Sequence, residues 1–385
     1  MAHSPVTAMA DDCSESSSSA DLKVLQQSIA DALADNCERR AVHAHVDGAE
    51  DLAARLWQMA AELGWLAIGL PERFEGLGLA QQGLAVLHRE LGSVLAPGPY
   101  IATLAAAQWL AECDTSTFAQ QQLPRVAVGE LKIAVPYGPV SSAGRWHGGR
   151  TVSASDLLML GGRSAELAVI RVRGDDGHAG LALIDTRSPA VRLDAQKMWD
   201  RTREVSLLGC GNLEAELVIA DPEGTVSAAL ARHLELATAS DSLGGARSIA
   251  DQTIGYMKDR VQFDRPIGAF QAMKHRAADI MILLEVQDRL LEQAVESEQR
   301  CSPDSDLWTA LAAAGATDAY SFIADDCVLL HGGIGFTWEY DCHLFLKRAR
   351  LNAVITGDNA ARRDRAATAL EQAAREGRSV LELPA

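Results

Sequence analysis

The chain has 385 residues, 48% of them hydrophobic, and a formal net charge of -17. That length supports a large core and more than one structural layer. The acidity is spread along the chain, which argues against nonspecific nucleic-acid binding, since that needs a cationic face to displace counterions from phosphate. Seven Cys show no CxxC and no metal-like Cys/His spacing, so no metal site is expected and the isolated thiols predict a reduced, cytoplasmic protein. No apolar run reaches the roughly 20 residues of a membrane span, and the start of the chain lacks the apolar core of a signal peptide.

Residues 1–21 are rich in Ser and Asp, with Ser16-Ser17-Ser18-Ser19 at their centre, and predict a disordered lead-in. From Leu22 to about residue 125 the apolar pattern is helical and broken by Gly and Pro, predicting an N-terminal helical domain. Within it, Ala96-Pro97-Gly98-Pro99-Tyr100 ends one helix and allows the next to begin. Over 126–225 the texture changes to short apolar runs, such as Leu157-Leu158-Met159-Leu160, Leu167-Ala168-Val169-Ile170 and Leu181-Ala182-Leu183-Ile184, punctuated by Gly, Ser and Asp. This predicts a small antiparallel β-domain. Residues 226–385 turn helical again, to about Arg375, and predict a C-terminal helical bundle. The helix–sheet–helix order makes the fold class α+β, with the sheet domain between two helical layers.

One stretch of the C-terminal part stands out. Between helical segments at Leu243–Lys258 and Phe270–Val295 lies Arg260-Val261-Gln262-Phe263-Asp264-Arg265-Pro266-Ile267-Gly268-Ala269-Phe270-Gln271. The ring of Pro266 disfavours helix at Arg265, so an extended linker is expected. It gathers Arg260, Arg265 and Lys274 beside Phe263 and Phe270. Cations and aromatic edges at a helix–helix corner suit a ligand with phosphates and a ring. The same residues also suit a solvated corner with two packed phenylalanines, and residue type alone leaves both readings open.

The stretch resembles the signature of the acyl-CoA dehydrogenase flavoproteins, approximately Arg-x-Gln-Phe-Gly-x-Pro-Ile-x-x-Phe-Gln-x-x-Lys-His. A second stretch, Leu330-His331-Gly332-Gly333-Ile334-Gly335-Phe336-Thr337-Trp338-Glu339, is similar to another family motif and falls at the usual separation. Trp199-Asp200-Arg201-Thr202-Arg203 resembles the family's Asp-x-Thr-Arg element. The likeness runs from about Leu22 to Leu370. It implies the fold of that family, FAD as cofactor, an acyl-CoA substrate, an electron-transfer acceptor, and a homo- or hetero-tetramer. The activity it implies is the α,β-desaturation of an acyl-CoA thioester, by this chain or by an enzyme of which it is a subunit. A catalytically inactive partner that completes another subunit's FAD site, and a flavin enzyme of different chemistry such as nitroalkane oxidation with an Asp base, are the alternatives. Some members of the most similar bacterial subgroup act on steroid side chains, and some pair non-identical subunits, one of which lacks the base or part of the flavin site. Carried over residue by residue, Arg260, Phe263 and Gln271 would contact FAD, often that of the neighbouring subunit. His331 would touch the cofactor, and Gly332 and Gly333 would let backbone approach it, having no Cβ.

The departures are as informative. The family's Thr-Glu-Pro-x-x-Gly-Ser-Asp is here Val135-Pro136-Tyr137-Gly138-Pro139-Val140-Ser141-Ser142, without the flavin-contacting Thr. Leu158-Met159-Leu160 lies near the place of the family's Trp-Ile/Val-Thr. Leu329 stands for a Gln, and Asp264 for the signature Gly. The reaction needs a carboxylate within reach of the carbon α to a thioester carbonyl, its pKa raised by a desolvated pocket. Many members carry a Glu where this chain has Thr356, and Thr cannot take a proton at neutral pH. Others place the Glu at the start of the helix before the signature; ungapped counting reaches Leu234, with Glu235 beside it. Glu235 and Asp358 are therefore the candidate bases, with Asp241 behind them. Each also reads as a helix-end or surface carboxylate.

Overall fold

The computed structural model describes residues 19–49, 51–113, 117–138, 143–162 and 164–380. The expected lead-in lies outside the described residues as far as residue 18, and from Ser19 the chain is already helical. The N-terminal layer holds α1 (Ser19–Asn36), α2 (Arg39–Val46), α3 (Leu52–Glu62), α4 (Ala80–Ser93), α5 (Tyr100–Cys113) and α6 (Thr117–Ala127). Asp51 starts α3 by accepting a hydrogen bond from Ala54 N at 3.1 Å, which satisfies one of the free donors of a first turn. Helix α5 is buried from Tyr100 to Ala111, so its sequence is apolar all round rather than amphipathic.

The sheet follows, with β1 (Ile133–Pro136), β2 (Gly144–Trp146), β3 (Thr151–Leu160), β4 (Leu167–Gly174), β5 (Ala179–Asp185), β6 (Val191–Ala195), β7 (Val205–Glu214) and β8 (Leu217–Ala220). Its order is β6-β7-β3-β1-β4-β5-β8, with β2 joined to β3 and β4. The purely antiparallel domain expected from the sequence is corrected here: β1 and β2 each run parallel to β4. They behave as two pieces of one interrupted strand. Ala134 opposes Ala168 and Gly144 opposes Val172, so residues 134 to 144 span the length that 168 to 172 covers.

Alternation along the strands separates two cores. Ile133, Val135, Leu160, Leu167, Val169 and Leu181 face the helices, while Ala134, Met159, Ala168, Ile170 and Ala182 pack into a second cluster on the other face.

The C-terminal bundle comprises α7 (Thr225–Asp259), α8 (Gln271–Gln299), α9 (Ser305–His331), α10 (Cys342–Ile355) and α11 (Asn359–Arg375). Helix α7 begins well before Leu243. Its segment from His233 to Ala246 is buried on every side, so it shows no apolar stripe from which an earlier start could be read. A buried charge cluster pins the three layers together. Arg348 of α10 donates to Asp200 at 2.7 Å, to Asp241 of α7 at 3.0 Å, to Thr202, and to the carbonyls of Leu95 and Ala96. Arg203 and Asn352 complete the set, at 2.6 and 2.8 Å from Asp241.

Candidate active site and cofactor corner

The signature stretch folds into a small hairpin between α7 and α8, made of β9 (Val261–Gln262) and β10 (Arg265–Pro266). Its two turn residues, Phe263 and Asp264, have φ of 52° and 60°. A two-residue hairpin turn of this hand asks for positive φ at both positions, which is where Gly would sit without strain and where the family has one. The hairpin is held by Ile267 N donating to Arg260 O at 2.8 Å. Arg260, Gln271 and Lys274 are exposed. Phe263 is 86% exposed and meets Phe270 edge to face at 6.2 Å, and Arg265 lies 4.0 Å over the Phe270 ring. A cationic, aromatic corner with no cover from its own chain fits the cofactor contact that the resemblance implies.

His331 ends α9, and Gly332 follows it at φ 66°, exposed like Gly333. The His331 ring is committed inward. It stacks on Tyr256 at 4.3 Å and shares a hydrogen bond of 2.8 Å with Cys327 O. Burial holds its pKa below the ordinary value. What faces outward here is the Gly332-Gly333 backbone, so His331 orients the turn rather than presenting its ring.

The second half of the site is less hospitable to a flavin ring. Val135 and Leu160 are cross-strand partners, 0% and 3% exposed, and both belong to the core. Val135 opens the run that stands for the family's Thr-Glu-Pro motif and Leu160 lies near the place of its Trp-Ile/Val-Thr element, and neither side chain offers a hydrogen bond. Beyond β1, Gly138 N donates to Ile355 O at 2.9 Å, joining this edge of the sheet to the end of α10. The turn after α10 carries Thr356, Gly357 and Asp358.

Sequence reasoning missed what fills that turn. Arg362 of α11 is buried and reaches three partners: Glu235 Oε1 at 2.9 Å, Asn359 Oδ1 at 2.6 Å and Thr356 Oγ1 at 2.5 Å. Arg365 takes the other oxygen of Glu235 at 2.5 Å. A buried guanidinium thus touches the residue at the family's base position, and Glu235, 2% exposed, has both oxygens engaged. The only hint in the sequence was the run Arg362-Arg363-Asp364-Arg365, which by itself reads as a solvated helix face.

The other two carboxylates are also engaged. Asp241 is fully buried; burial alone would raise its pKa, yet the Arg348 and Arg203 charges carry it below the ordinary range. It is a member of the interlayer cluster. Asp358 is exposed and caps α11, accepting from Ala360 N at 3.1 Å. The structure therefore brings Glu235 and Thr356 together through Arg362, leaves Asp358 at the rim, and places Asp241 in the core.

Comparison with known proteins agrees with this architecture. Residues 19–130 match the family model "Acyl-CoA dehydrogenase, N-terminal domain", and residues 228–371 match "Acyl-CoA dehydrogenase, C-terminal domain". The acyl-CoA dehydrogenase IpdE2 of Mycolicibacterium smegmatis is 28% identical over 336 residues, covering 87% of this chain and 94% of that one. Among solved structures, a variant of the Tcur3481-Tcur3483 steroid ACAD superposes with a TM-score of 0.83 at 25% identity, covering 92% of this chain and 99% of that one. The ChsE4-ChsE5 complex from Mycobacterium tuberculosis gives 0.79 at 23% identity, with 96% and 99% covered. With both of its helical layers matched and the sheet domain between them in place, the chain belongs to the acyl-CoA dehydrogenase family, whose members are FAD-dependent oxidoreductases acting on CH–CH bonds.

Proposed function

We infer that this chain is the non-catalytic subunit of a two-subunit, FAD-dependent acyl-CoA dehydrogenase, and that its signature corner closes an FAD site whose base and ring contacts a partner dehydrogenase chain supplies. The observation that carries this reading is the Glu235–Arg362–Thr356 arrangement. A general base needs a free oxygen and a raised pKa; this chain offers a hydroxyl facing a guanidinium and a carboxylate bonded by two arginines. The apolar pair Val135 and Leu160 supports it from the sheet side.

In the assembled enzyme FAD would accept the hydride that leaves the acyl β-carbon. This chain's part is to bind and to enclose. Arg260 would pair with the cofactor's phosphate, Phe263 and Gln271 would pack along it, and Gly332 and Gly333 would admit its approach. Assembly with a partner would also bury apolar side chains this chain leaves exposed, among them Phe263, Phe322, Leu329 and Phe336. A heterotetramer is the assembly that gives both faces a partner, in keeping with the paired names of the two solved structures. The steroid dehydrogenase among those neighbours favours a bulky acyl-CoA substrate. Six described cysteines are free thiols, which suits a cytoplasmic setting.

Asp358 is the residue that favours the second reading, an active dehydrogenase. It is exposed at the α10–α11 turn, two residues from the family's base position. Purifying the chain alone and together with a partner dehydrogenase, and recording the visible flavin spectrum of each, separates the two. The non-catalytic reading expects no flavin absorbance from this chain alone and a bound flavin in the complex. A yellow, substrate-bleached preparation of this chain by itself would favour Asp358.

A further inference from the structure

A pocket of about 230 Å³ lies where the N-terminal helices meet the sheet, between the α2–α3 connection, the start of α5, the end of β3 and the β6–β7 connection. In an acidic protein its lining is unusual for its cations. Lys132 rests 5.3 Å over the Trp57 ring and meets no carboxylate among the described residues. Arg201 is exposed and donates to Val46 O at 2.9 Å, a neutral partner that leaves its charge uncompensated. Arg203 lines the same pocket, and although its outer nitrogens are engaged by Asp241, Ala96 O and Gly98 O, its buried Nε finds no acceptor among the described residues. Two carboxylates also line it. Asp51 is occupied as the cap of α3, and Glu204 is exposed at the rim.

Lys132 and Arg201, neither in an ion pair among the described residues, converge with the unpartnered Arg203 Nε on a concave, partly apolar space, an arrangement that suits an oxyanion. The apolar share of the wall comes from Ile101, Ala102 and Leu160. The volume falls below the roughly 300–1,000 Å³ of sites for drug-sized ligands, which excludes a dinucleotide or a whole CoA thioester. We propose that this pocket binds a small acid, a single carboxylate or phosphate group on a short body, with Lys132 and Arg201 as its charge partners. The occupant would touch Thr202 and Arg203, which belong to the cluster holding α7 and α10, so its binding would tighten the junction of the sheet with both helical layers.

The test is calorimetric titration of the full chain with inorganic phosphate and, separately, with propionate, at constant ionic strength balanced by chloride. Saturable binding is expected from one of them, and which one assigns the group. Lys132→Met should weaken it at least tenfold, and Lys132→Arg should restore most of it. Arg201→Met should weaken it as well, with its unliganded melting temperature recorded alongside because that guanidinium also holds Val46 O. Absence of saturable binding by either acid, or a Lys132→Met protein that binds as tightly as the wild type, would overturn the proposal.

Discussion

Arg362 Nε lies 2.9 Å from Glu235 Oε1, joining α11 to α7 across 127 positions of sequence. Arg365 holds the second oxygen. In a family that needs a poised carboxylate near this place, the chain has built an ion pair inside the protein instead. Removing one member of a buried pair leaves the other charge without compensation, at about 3–5 kcal/mol. Glu235→Gln is therefore expected to lower unfolding stability by that order in denaturant titration. A change under about 1 kcal/mol would mean that the two arginines find other partners.

Arg260 is the test of the cofactor corner. Its side chain is exposed at the start of the hairpin, with no carboxylate partner among the described residues. Arg260→Ala should reduce the flavin retained by the assembled complex after dialysis while leaving circular dichroism and assembly unchanged. Undiminished flavin content would remove the phosphate role.

The hairpin turn makes a separate prediction about strain. Asp264 adopts φ 60°, a conformation that an L-residue holds at some cost and Gly holds freely. Asp264→Gly should raise stability by about 1 kcal/mol, read as a higher denaturant midpoint with an unchanged slope. A destabilised variant would show that the Asp side chain contributes a contact.

His88 should shape the acid limb of stability. Burial lowers its pKa to about 4, and both of its ring nitrogens lack partners among the described residues. The unfolded chain protonates this ring near pH 6.5, the folded one only near 4, so the unfolded state binds more protons in between and stability falls as the pH drops through that window. The slope approaches about 1.4 kcal/mol per pH unit for one group. His233 is shifted upward: burial opposes, but Glu112 raises it, so its effect has the opposite sign. Comparing wild type with His88→Gln isolates the His88 share: the variant should show a flatter loss of stability between pH 6.5 and 4. Parallel curves would refute it.

What the sequence made legible was what lies close together in the chain. The signature, the Gly332-Gly333 turn and the three-part order of helix, sheet and helix are local patterns, and the fold carries them where they were expected. The extended linker at Pro266 was also readable, though not its folding back through Phe263 and Asp264: Asp264, in place of the signature Gly, tolerates positive φ, but Phe263 does not advertise it. The parallel pairing of β1 and β2 with β4 depends on partners some 30 residues away. Glu235 illustrates the main limit. Its spacing from Arg260 pointed to catalysis, while its role as part of an ion pair is set by Arg362 and Arg365, which no count along the chain connects to it. Arg348 lies in the run Leu344-Phe345-Leu346-Lys347-Arg348-Ala349 that follows the second motif, but its role was not legible for the same reason, with Asp200, Asp241 and Leu95 all distant in sequence.

The most direct measurement is single-turnover flavin bleaching by an acyl-CoA in the complex of this chain with its partner dehydrogenase, comparing wild type with Asp358→Asn, a substitution that keeps the helix cap, and with Glu235→Gln, each scored per bound flavin. If this chain supplies no base, both complexes bleach at the wild-type rate. A loss of a hundredfold or more in either one, with flavin still bound, would make that residue the base and this chain a catalyst.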